Sequence, residues 1–256
     1  SMDMDFDEIL QHVQTNAEGT QQKIREMKPK DIFEKLHQGN LSTEFQNHLR
    51  TDVLPLISEI SESIGSTEVG RMFNEQVDPQ TIWDDAVING KVPYASDLFS
   101  MGFPMSDQEA YAVESLEASL NAIIDYAYGS TVHREMDRMF AMARNKLRPR
   151  DFHDGDWMTA SVNEKMVARE KWNKLFNLSE NLDNEGRNRF LTRFMALTLG
   201  SEKFNKLLNK VDTVPEELEG ADTVYEYVLN RFHRFIDWIA ERAARTGNEP
   251  KIQGRI

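Results

Sequence analysis

The stretch that decides the fold runs from Ser106 to Gly129 and reads SDQEAYAVESLEASLNAIIDYAYG. Ser106 and Glu109 have the spacing of a capping box, in which each side chain accepts a hydrogen bond from the other residue's backbone amide. Apolar residues then recur at the spacing of one helix face, and a glycine follows where the helix should end. The predicted core face consists of Ala110, Val113, Leu116, Leu120, Ile123, Ile124 and Ala127.

The same combination of caps and apolar periodicity recurs along the chain. Pro55 should kink or split the helix that contains it, and Val162 and Met166 are predicted to lie on a core-facing stripe. Convincing strand-like alternation is not found, so the sequence predicts an all-α fold, a globular bundle of about 10–11 helices. The predicted helices cover residues 6–13, 29–39, 42–65, 79–90, 106–129, 130–148, 161–176, 190–200, 201–208 and 223–247.

The domain organisation is predicted from a break in this pattern. Glycines and prolines between residues 89 and 106 interrupt the periodicity, which is typical of a loop or linker. We expect an acidic helical subdomain at 1–90, a Gly/Pro-rich loop or linker at 91–105, a main helical domain at 106–247 and a flexible tail at 248–256. The opening Ser1-Met2 is typical of protease cleavage of an expressed protein, so we expect a domain of a longer protein.

Charge is divided unevenly along the sequence. Residues 51–128 contain fourteen acidic and two basic residues, a net charge of −12, whereas residues 129–210 contain sixteen basic and eleven acidic residues, a net charge of +5. Local field, rather than the total of −13, decides which partners are attracted. The boundary at Gly129 falls between two helices of one block, so we expect the two surfaces to belong to one folded unit and to face each other.

Composition excludes several classes of site. The chain has no cysteine, which rules out disulfides, zinc–thiolate sites, iron–sulfur clusters and a thiol nucleophile. No apolar run approaches the length of a membrane span. Phosphate-binding, dinucleotide-binding, nucleophile-elbow and zincin motifs are absent, and no cofactor is predicted. We expect a soluble protein, either virion-associated or cytoplasmic.

Histidines with a carboxylate one helical turn away form the next candidate group. The pairs are Glu8–His12, Glu44–His48, His133–Asp137 and His233–Asp237. This spacing is typical of stabilising pairs on a solvated helix face. The single Glu34-x-x-His37 lacks the second copy that a di-iron bundle requires.

One polar cluster leaves an enzymatic alternative open. Asp151, His153, Asp154 and Asp156 lie close together after Pro149. The adjacent His153-Asp154 is similar to the centre of HD-type phosphohydrolases, which are all-helical and bind a metal. In that alternative His153 and Asp154 are catalytic, and the metal ligands are His133, His153, Asp154 and either Asp212 or Asp237. Against it, the pair is predicted in a loop, where aspartates typically cap turns.

A second alternative rests on basic residues in helices between 134 and 193. They could contact nucleic acid or a partner, although positive charge near a helix C-terminus also has a purely structural explanation. The candidate contact residues are Arg134, Arg138, Arg144, Lys146, Arg148, Arg150, Lys165, Arg169, Lys174, Arg187 and Arg189.

Three stretches carry a family resemblance: DQEAYAVESLEASLNAII (107–124), HREMDRMFAMARNKLRPRDF (133–152) and AREKWNKLFNLSENLDNEGRNRFLTRFMALTLGSEKFNKLL (168–208). They resemble helical regions of very large phage polypeptides that are ejected with the genome, including virion RNA polymerases. The resemblance includes Gly186-Arg187 and Phe190-Leu191-x-Arg193-Phe194, without a catalytic signature. It implies a non-enzymatic interaction or assembly module of a larger phage-like, virion-associated protein, whose partners are other domains of that polypeptide or other proteins.

Overall fold

The computed structural model describes residues 28–63, 68–74, 105–176, 183–211 and 216–245. Throughout these residues the regular structure is helical and no strand occurs, so the predicted all-α fold is confirmed. None of the helices in these ranges is long and apolar enough to cross a membrane.

The helices are numbered here in chain order. The α-helices are α1 Pro29–His37, α2 Thr43–His48, α3 Leu54–Ser58, α4 Glu68–Asn74, α5 Asp107–Tyr126, α6 Thr131–Lys146, α7 Val162–Phe176, α8 Asn184–Gly200, α9 Glu202–Lys210 and α10 Val224–Arg245. π-Helical turns cover Leu49–Val53 and Glu59–Ser63, and 3-10 turns cover Pro149–Phe152 and Trp157–Thr159.

Helix α5 begins with the predicted capping box. The Ser106 hydroxyl accepts from the Glu109 amide at 3.1 Å, and Glu109 Oε1 accepts from the Ser106 amide at 3.3 Å. The predicted core face is buried with the exception of Ala110, which is half-buried. The cap and the periodicity therefore determined both the start and the orientation of this helix.

Helix α8 is the centre of the structure and packs along α5. Every residue from Asn188 to Gly200 is buried, so the helix is covered on all sides. Its polar side chains need internal partners for this reason. Thr192 and Thr198 find them on the helix itself, because their hydroxyls donate to the carbonyls of Arg189 and Phe194 at 2.9 and 2.8 Å.

The end of α8 approaches α1 and α5 closely at Gly200. A Cβ atom at this position would lie 2.9 Å from Val113 Cγ2 and 3.3 Å from Phe33 Cζ. Real side chains do not fit at such distances without a shift of their neighbours. Gly200 therefore permits the close contact of three helices.

Pro55 produces the irregularity that was predicted for its helix. In a regular α-helix the proline ring collides with the carbonyl four residues earlier, at Thr51. The π-helical turn Leu49–Val53 precedes it, and the Leu54 amide donates to the Leu49 carbonyl, five residues back. The wider turn lets the chain pass Pro55 while α2 and α3 remain nearly continuous.

One hydrophobic core contains residues from both sides of the predicted domain boundary. Helices α1 and α4 pack on α5, and α10 packs on α6 and α9. Except for Met105, the predicted linker 91–105 lies outside the described residues, as do the predicted tail 248–256 and the predicted helices at 6–13 and 79–90.

Two details differ from the sequence-based expectations. The core-facing prediction for Val162 and Met166 is wrong, because both side chains are exposed. Helix α4 was not predicted, and its Gly70 is a weak helix former. The structure shows that its Val69 and Phe73, one helical turn apart, are both buried.

The acidic and basic stretches meet inside the core. Arg193 Nε on α8 lies 3.2 Å from Glu117 Oε1 on α5, and both side chains are buried. Burial raises the pKa of Glu117 to about 8, the charge of Arg193 opposes this rise, and Glu114 adds to it. Glu117 Oε2 has no hydrogen-bond partner among the described residues. Both side chains of the Arg193–Glu117 contact have therefore lost most of their hydration.

Candidate functional site

Large exposed hydrophobic side chains are concentrated in one place. Met158, Val162, Met166 and Val167 are 84, 74, 58 and 48 % exposed, and they are the large hydrophobic residues exposed in the described ranges. Three of them repeat every four residues, from the 3-10 turn Trp157–Thr159 into the first turns of α7. We call these four residues the α7 stripe. A local concentration of exposed apolar side chains is typical of an interaction site.

Polar contacts fix the backbone that presents the stripe. Asp156 Oδ1 accepts from the Met158 amide at 3.0 Å. The Ser161 hydroxyl accepts from the Glu164 amide at 3.1 Å, and Glu164 Oε2 lies 3.4 Å from His153 Nε2. The turn and the helix start are thus held in place while the apolar side chains point outward.

Aromatic contacts reinforce the inner side of the same region. The Lys165 ammonium lies 5.4 Å from the Trp157 ring centroid, and Trp172 Nε1 donates to the Leu147 carbonyl at 2.7 Å. Leu175 and Phe176 anchor the end of α7 in the core. The helix is consequently buried at its end and open at its start.

One cation beside the stripe has no intramolecular partner. Arg169 is exposed, and within the described ranges it makes no hydrogen bond or ion pair. The acids nearby are engaged, since Glu164 contacts His153 and Glu170 lies 3.6 Å from Lys174 Nζ. Arg169 is therefore a cation beside the stripe that can pair with a carboxylate of a binding partner.

A large cleft lies between α7, α9 and the turn after α6. Its volume is about 1090 Å³, within the size of ligand-binding pockets. We call it the lysine cleft because its cations are Lys171, Lys203, Lys206 and Lys210. The acidic residues in its lining are Glu109, Asp151, Asp154 and Glu202.

Glu109 connects two helix starts at the base of this cleft. Its Oε1 accepts from Ser106 at the start of α5, and its Oε2 accepts from the Glu202 amide at the start of α9, at 3.0 Å. Burial raises the pKa of Glu109, and these hydrogen bonds partly oppose the rise. The carboxylate satisfies amides that would otherwise lack partners.

A smaller cleft of about 610 Å³ lies on the other side of α9 and shares Lys206 and Lys210 with the first. His48 lies in its wall, with Nδ1 2.8 Å from the Tyr225 hydroxyl and 3.6 Å from Asp52 Oδ2. The Tyr225 hydroxyl also donates to Asp52, and Asn205 Nδ2 lies 3.3 Å from His48 Nδ1. These contacts join the first π-turn, α9 and α10.

Hydrogen-bond roles in this cluster depend on the protons of His48. The Leu199 carbonyl can only accept, so His48 Nε2 donates to it at 3.2 Å. When Nδ1 is also protonated, it donates to the Tyr225 oxygen, whose own proton goes to Asp52. When Nδ1 is not protonated, it accepts from Asn205. The hydrogen bonds from His48 and Tyr225 lower the pKa of Asp52, while burial and the Asp52 carboxylate raise the pKa of Tyr225.

The predicted metal-ligand residues have separate partners. His153 contacts Glu164, and Asp154 binds Lys203 Nζ at 3.0 and 3.1 Å. His133 is buried on α6 and donates from Nε2 to Asn188 Oδ1 at 3.0 Å, while Asp212 lies outside the described residues. Asn188 in turn donates to Asp125 at 2.9 Å. The described part of the chain contains no group of three or more His, Asp or Glu residues that could hold a metal ion.

The predicted basic contact residues are dispersed over several elements. Many have intramolecular partners: Arg134 donates to the Gly129 carbonyl, Arg144 lies over Trp172, Lys146 pairs with Glu217, and Arg189 pairs with Glu185. Arg187 lies near Asp137, Lys165 lies over the Trp157 ring, and Lys174 pairs with Glu170. The remaining predicted contact residues occupy exposed positions and are Arg138, Arg148, Arg150 and Arg169.

Sequence reasoning singled out Asp151, His153 and Asp154 in the lysine cleft and His48 in the smaller cleft, but it missed the α9 lysines and Tyr225 that complete the two linings. The sequence does contain a signal for the lysine cleft, because three lysines follow the helical period of α9 and are therefore expected on one face of that helix. They are Lys203, Lys206 and Lys210. His48 was paired with Glu44, whereas the structure pairs it with Asp52, which has the same four-residue spacing in the other direction. The contact with Tyr225, 177 residues away, leaves no trace in the local pattern.

Searches against protein-family models, curated proteins and solved structures return no significant match.

Proposed function

We propose that this chain is a non-enzymatic helical interaction module that binds another protein through the α7 stripe. The observation that carries the proposal is the concentration of exposed Met158, Val162, Met166 and Val167 on a rigidly held turn and helix start. Covering a side chain of this size contributes roughly 1.5–3 kcal/mol. A partner that covers the stripe gains this energy without ordering the backbone first.

The chemistry around the stripe specifies the partner. Apolar side chains four residues apart on a helix fit an apolar groove or the apolar face of another helix. Arg169 beside them has no partner in the described ranges, and residues 129–210 carry a net charge of +5. The matching partner is therefore an amphipathic helix with acidic residues at the edge of its apolar face.

Such a module fits within a longer polypeptide. The resemblance of residues 107–208 to phage virion-associated polypeptides supports a role in assembly or delivery. In that role the acidic amphipathic helix belongs to another domain of the same polypeptide or to another virion protein. Detection of the chain in purified virions by mass spectrometry, as part of a longer product, is the expected result.

Binding of an acidic amphipathic peptide tests the proposal. The peptide is a 15-residue helix with leucines on one face and glutamates along its edges, and binding is followed by fluorescence anisotropy. We expect saturable binding and amide NMR shifts at Val162, Met166 and Arg169. Val162→Gln with Met166→Gln should weaken binding at least tenfold.

Two controls distinguish binding at this surface from non-specific hydrophobic binding. Met142→Gln changes a half-buried methionine on α6, outside the stripe, and should leave affinity unchanged. A peptide with lysines in place of the glutamates should bind more weakly. Equal binding by the doubly substituted chain, or by the lysine peptide, contradicts the proposal.

A further inference from the structure

The lysine cleft carries a second inference, independent of the α7 stripe. Its carboxylates are all engaged within the protein. Glu109 accepts from two backbone amides, and Asp151 accepts from the Arg148 amide at 2.7 Å. Asp154 binds Lys203, and Glu202 accepts from Lys206 Nζ at 3.1 Å.

Two lysines in the same lining lack such partners. Lys171 on α7 and Lys210 on α9 make no hydrogen bond or ion pair with the residues that the structure describes. The Lys171 side chain is half-buried and cannot rely on full hydration. The lining thus balances four lysines against four carboxylates, but Lys171 and Lys210 are not paired with any of these carboxylates and remain available to a bound anion.

The positive charges of Lys171 and Lys203 also interact with each other. Burial lowers the pKa of Lys171, and the positive charge of Lys203 lowers it further, while the charge of Asp154 partly opposes both effects. Lys203 and Lys171 in turn lower the pKa of Asp154. An additional anion in the cleft would stabilise both ammonium groups.

We propose that the lysine cleft binds the phosphate groups of a small phosphorylated molecule, with Lys171 and Lys203 as the primary cations. Lysine is a compact point charge with three donors, suited to phosphate oxygens. Lys210 lines the same cleft without a partner in the described ranges and is available to a second phosphate, so a diphosphate fits better than a monophosphate. General attraction does not explain such binding, because the chain carries a net charge of −13.

Calorimetric titration with inorganic pyrophosphate and inorganic phosphate tests this site. We expect saturable binding of pyrophosphate, tighter than that of phosphate, to the full chain. Lys171→Gln should weaken it roughly ten- to hundredfold, the effect of one charged hydrogen bond. Lys203→Gln should weaken it at least as much, because the Asp154 carboxylate then lies in the cleft without its partner.

Lys174→Gln is the matched control. It removes the same charge from the same helix, but Lys174 pairs with Glu170 and does not line the cleft. The affinity of the Lys174→Gln variant for pyrophosphate should stay within about twofold of that of the unchanged chain. Lys210→Gln provides a second cleft variant if Lys171→Gln proves unstable. NMR titration should show the pKa of Lys171 rising when pyrophosphate is bound.

Several results would overturn the assignment. They are the absence of saturable pyrophosphate binding, equal losses in Lys174→Gln and Lys171→Gln, and a Lys171 pKa that does not respond to the ligand. A single-stranded oligonucleotide that binds without competition from pyrophosphate would point instead to a nucleic-acid surface elsewhere. These outcomes do not depend on the α7 stripe, so the two proposals fail separately.

Discussion

Arg193 Nε lies 3.2 Å from Glu117 Oε1 where α8 packs on α5, and the arginine side chain is fully buried. The Glu117 pKa of about 8 means that near neutral pH this contact joins a buried arginine to a protonated carboxyl group. Loss of Arg193 leaves the buried Glu117 carboxyl group without this partner, whereas loss of both side chains leaves an apolar contact.

Arg193→Met is therefore expected to destabilise the chain by about 1–3 kcal/mol, because it leaves a buried carboxyl group without its partner. The double variant Arg193→Met with Glu117→Leu should recover most of this loss. Urea unfolding followed by circular dichroism measures both. Lys30→Met removes the cation of a surface pair with Glu62 and should leave the urea midpoint of unfolding nearly unchanged. A loss in Arg193→Met as small as in Lys30→Met would contradict the assigned burial.

Glu117 also makes stability depend on pH. Its folded pKa of about 8 is above the ordinary value of 4.5, so the folded state holds a proton that the unfolded state releases. The free energy of unfolding should therefore fall as pH rises from about 5 to 8, by up to roughly 1.4 kcal/mol per pH unit from this group. Glu117→Gln should remove this slope in unfolding experiments between pH 5 and 9. Glu62→Gln, an exposed control, should retain it.

Gly200→Ala tests the close contact of α8 with α1 and α5. The added methyl group would lie 2.9 Å from Val113 Cγ2, and overpacking of this kind costs about 1–3 kcal/mol. Val113→Ala in the same chain provides space and should reduce the cost of the glycine substitution. Thermal unfolding of the four chains of this cycle gives the coupling, and simple additivity would contradict the contact.

Two methionines should differ sharply in their effect on stability. Met166 is 58 % exposed on α7, whereas Met139 is fully buried on α6. Met166→Gln should change the free energy of unfolding by less than about 0.5 kcal/mol. Met139→Gln should cost several kcal/mol, because it leaves a buried amide without partners. Similar losses in the two variants would show that the α7 stripe is covered in the folded chain.

Tyr225 and Tyr126 form a matched pair for hydrogen bonding. The Tyr225 hydroxyl contacts His48 and Asp52, whereas the buried Tyr126 hydroxyl has no partner in the described part of the structure. Tyr225→Phe should cost about 1–3 kcal/mol and raise the pKa of Asp52, which loses a donor. Tyr126→Phe should be neutral or stabilising. Chemical denaturation and carboxyl NMR titration give the two quantities.

Local rules predicted the helices well because their causes are local. The Ser106–Glu109 cap and the proline at 55 act within a few residues, and the structure confirms both of them. The buried faces of α5 and α6 follow from apolar spacing. These features need no knowledge of the remainder of the chain.

The candidate sites could not be predicted in the same way. Val162 and Met166 have core-like spacing, but no element in the described part of the chain covers them, and periodicity carries no information about tertiary contacts. The lysine cleft depends on α7 and α9 meeting beside the turn Pro149–Phe152. The His48–Tyr225 contact spans 177 residues. Such features arise from tertiary packing, which a single sequence does not display.

The long sequence separations have a consequence for synthesis of the protein. Arg193 follows Glu117 by 76 residues, and Glu202 follows Glu109 by 93. On the ribosome, α5 is therefore complete well before the helix that covers it has been translated. Helix α2 waits longer still, since the contact of its His48 with Tyr225 forms only after the start of α10 has emerged. Assembly of the core therefore depends on the last third of the chain. Ribosome-bound chains that stop before α8 would expose the apolar face of α5 to chaperones.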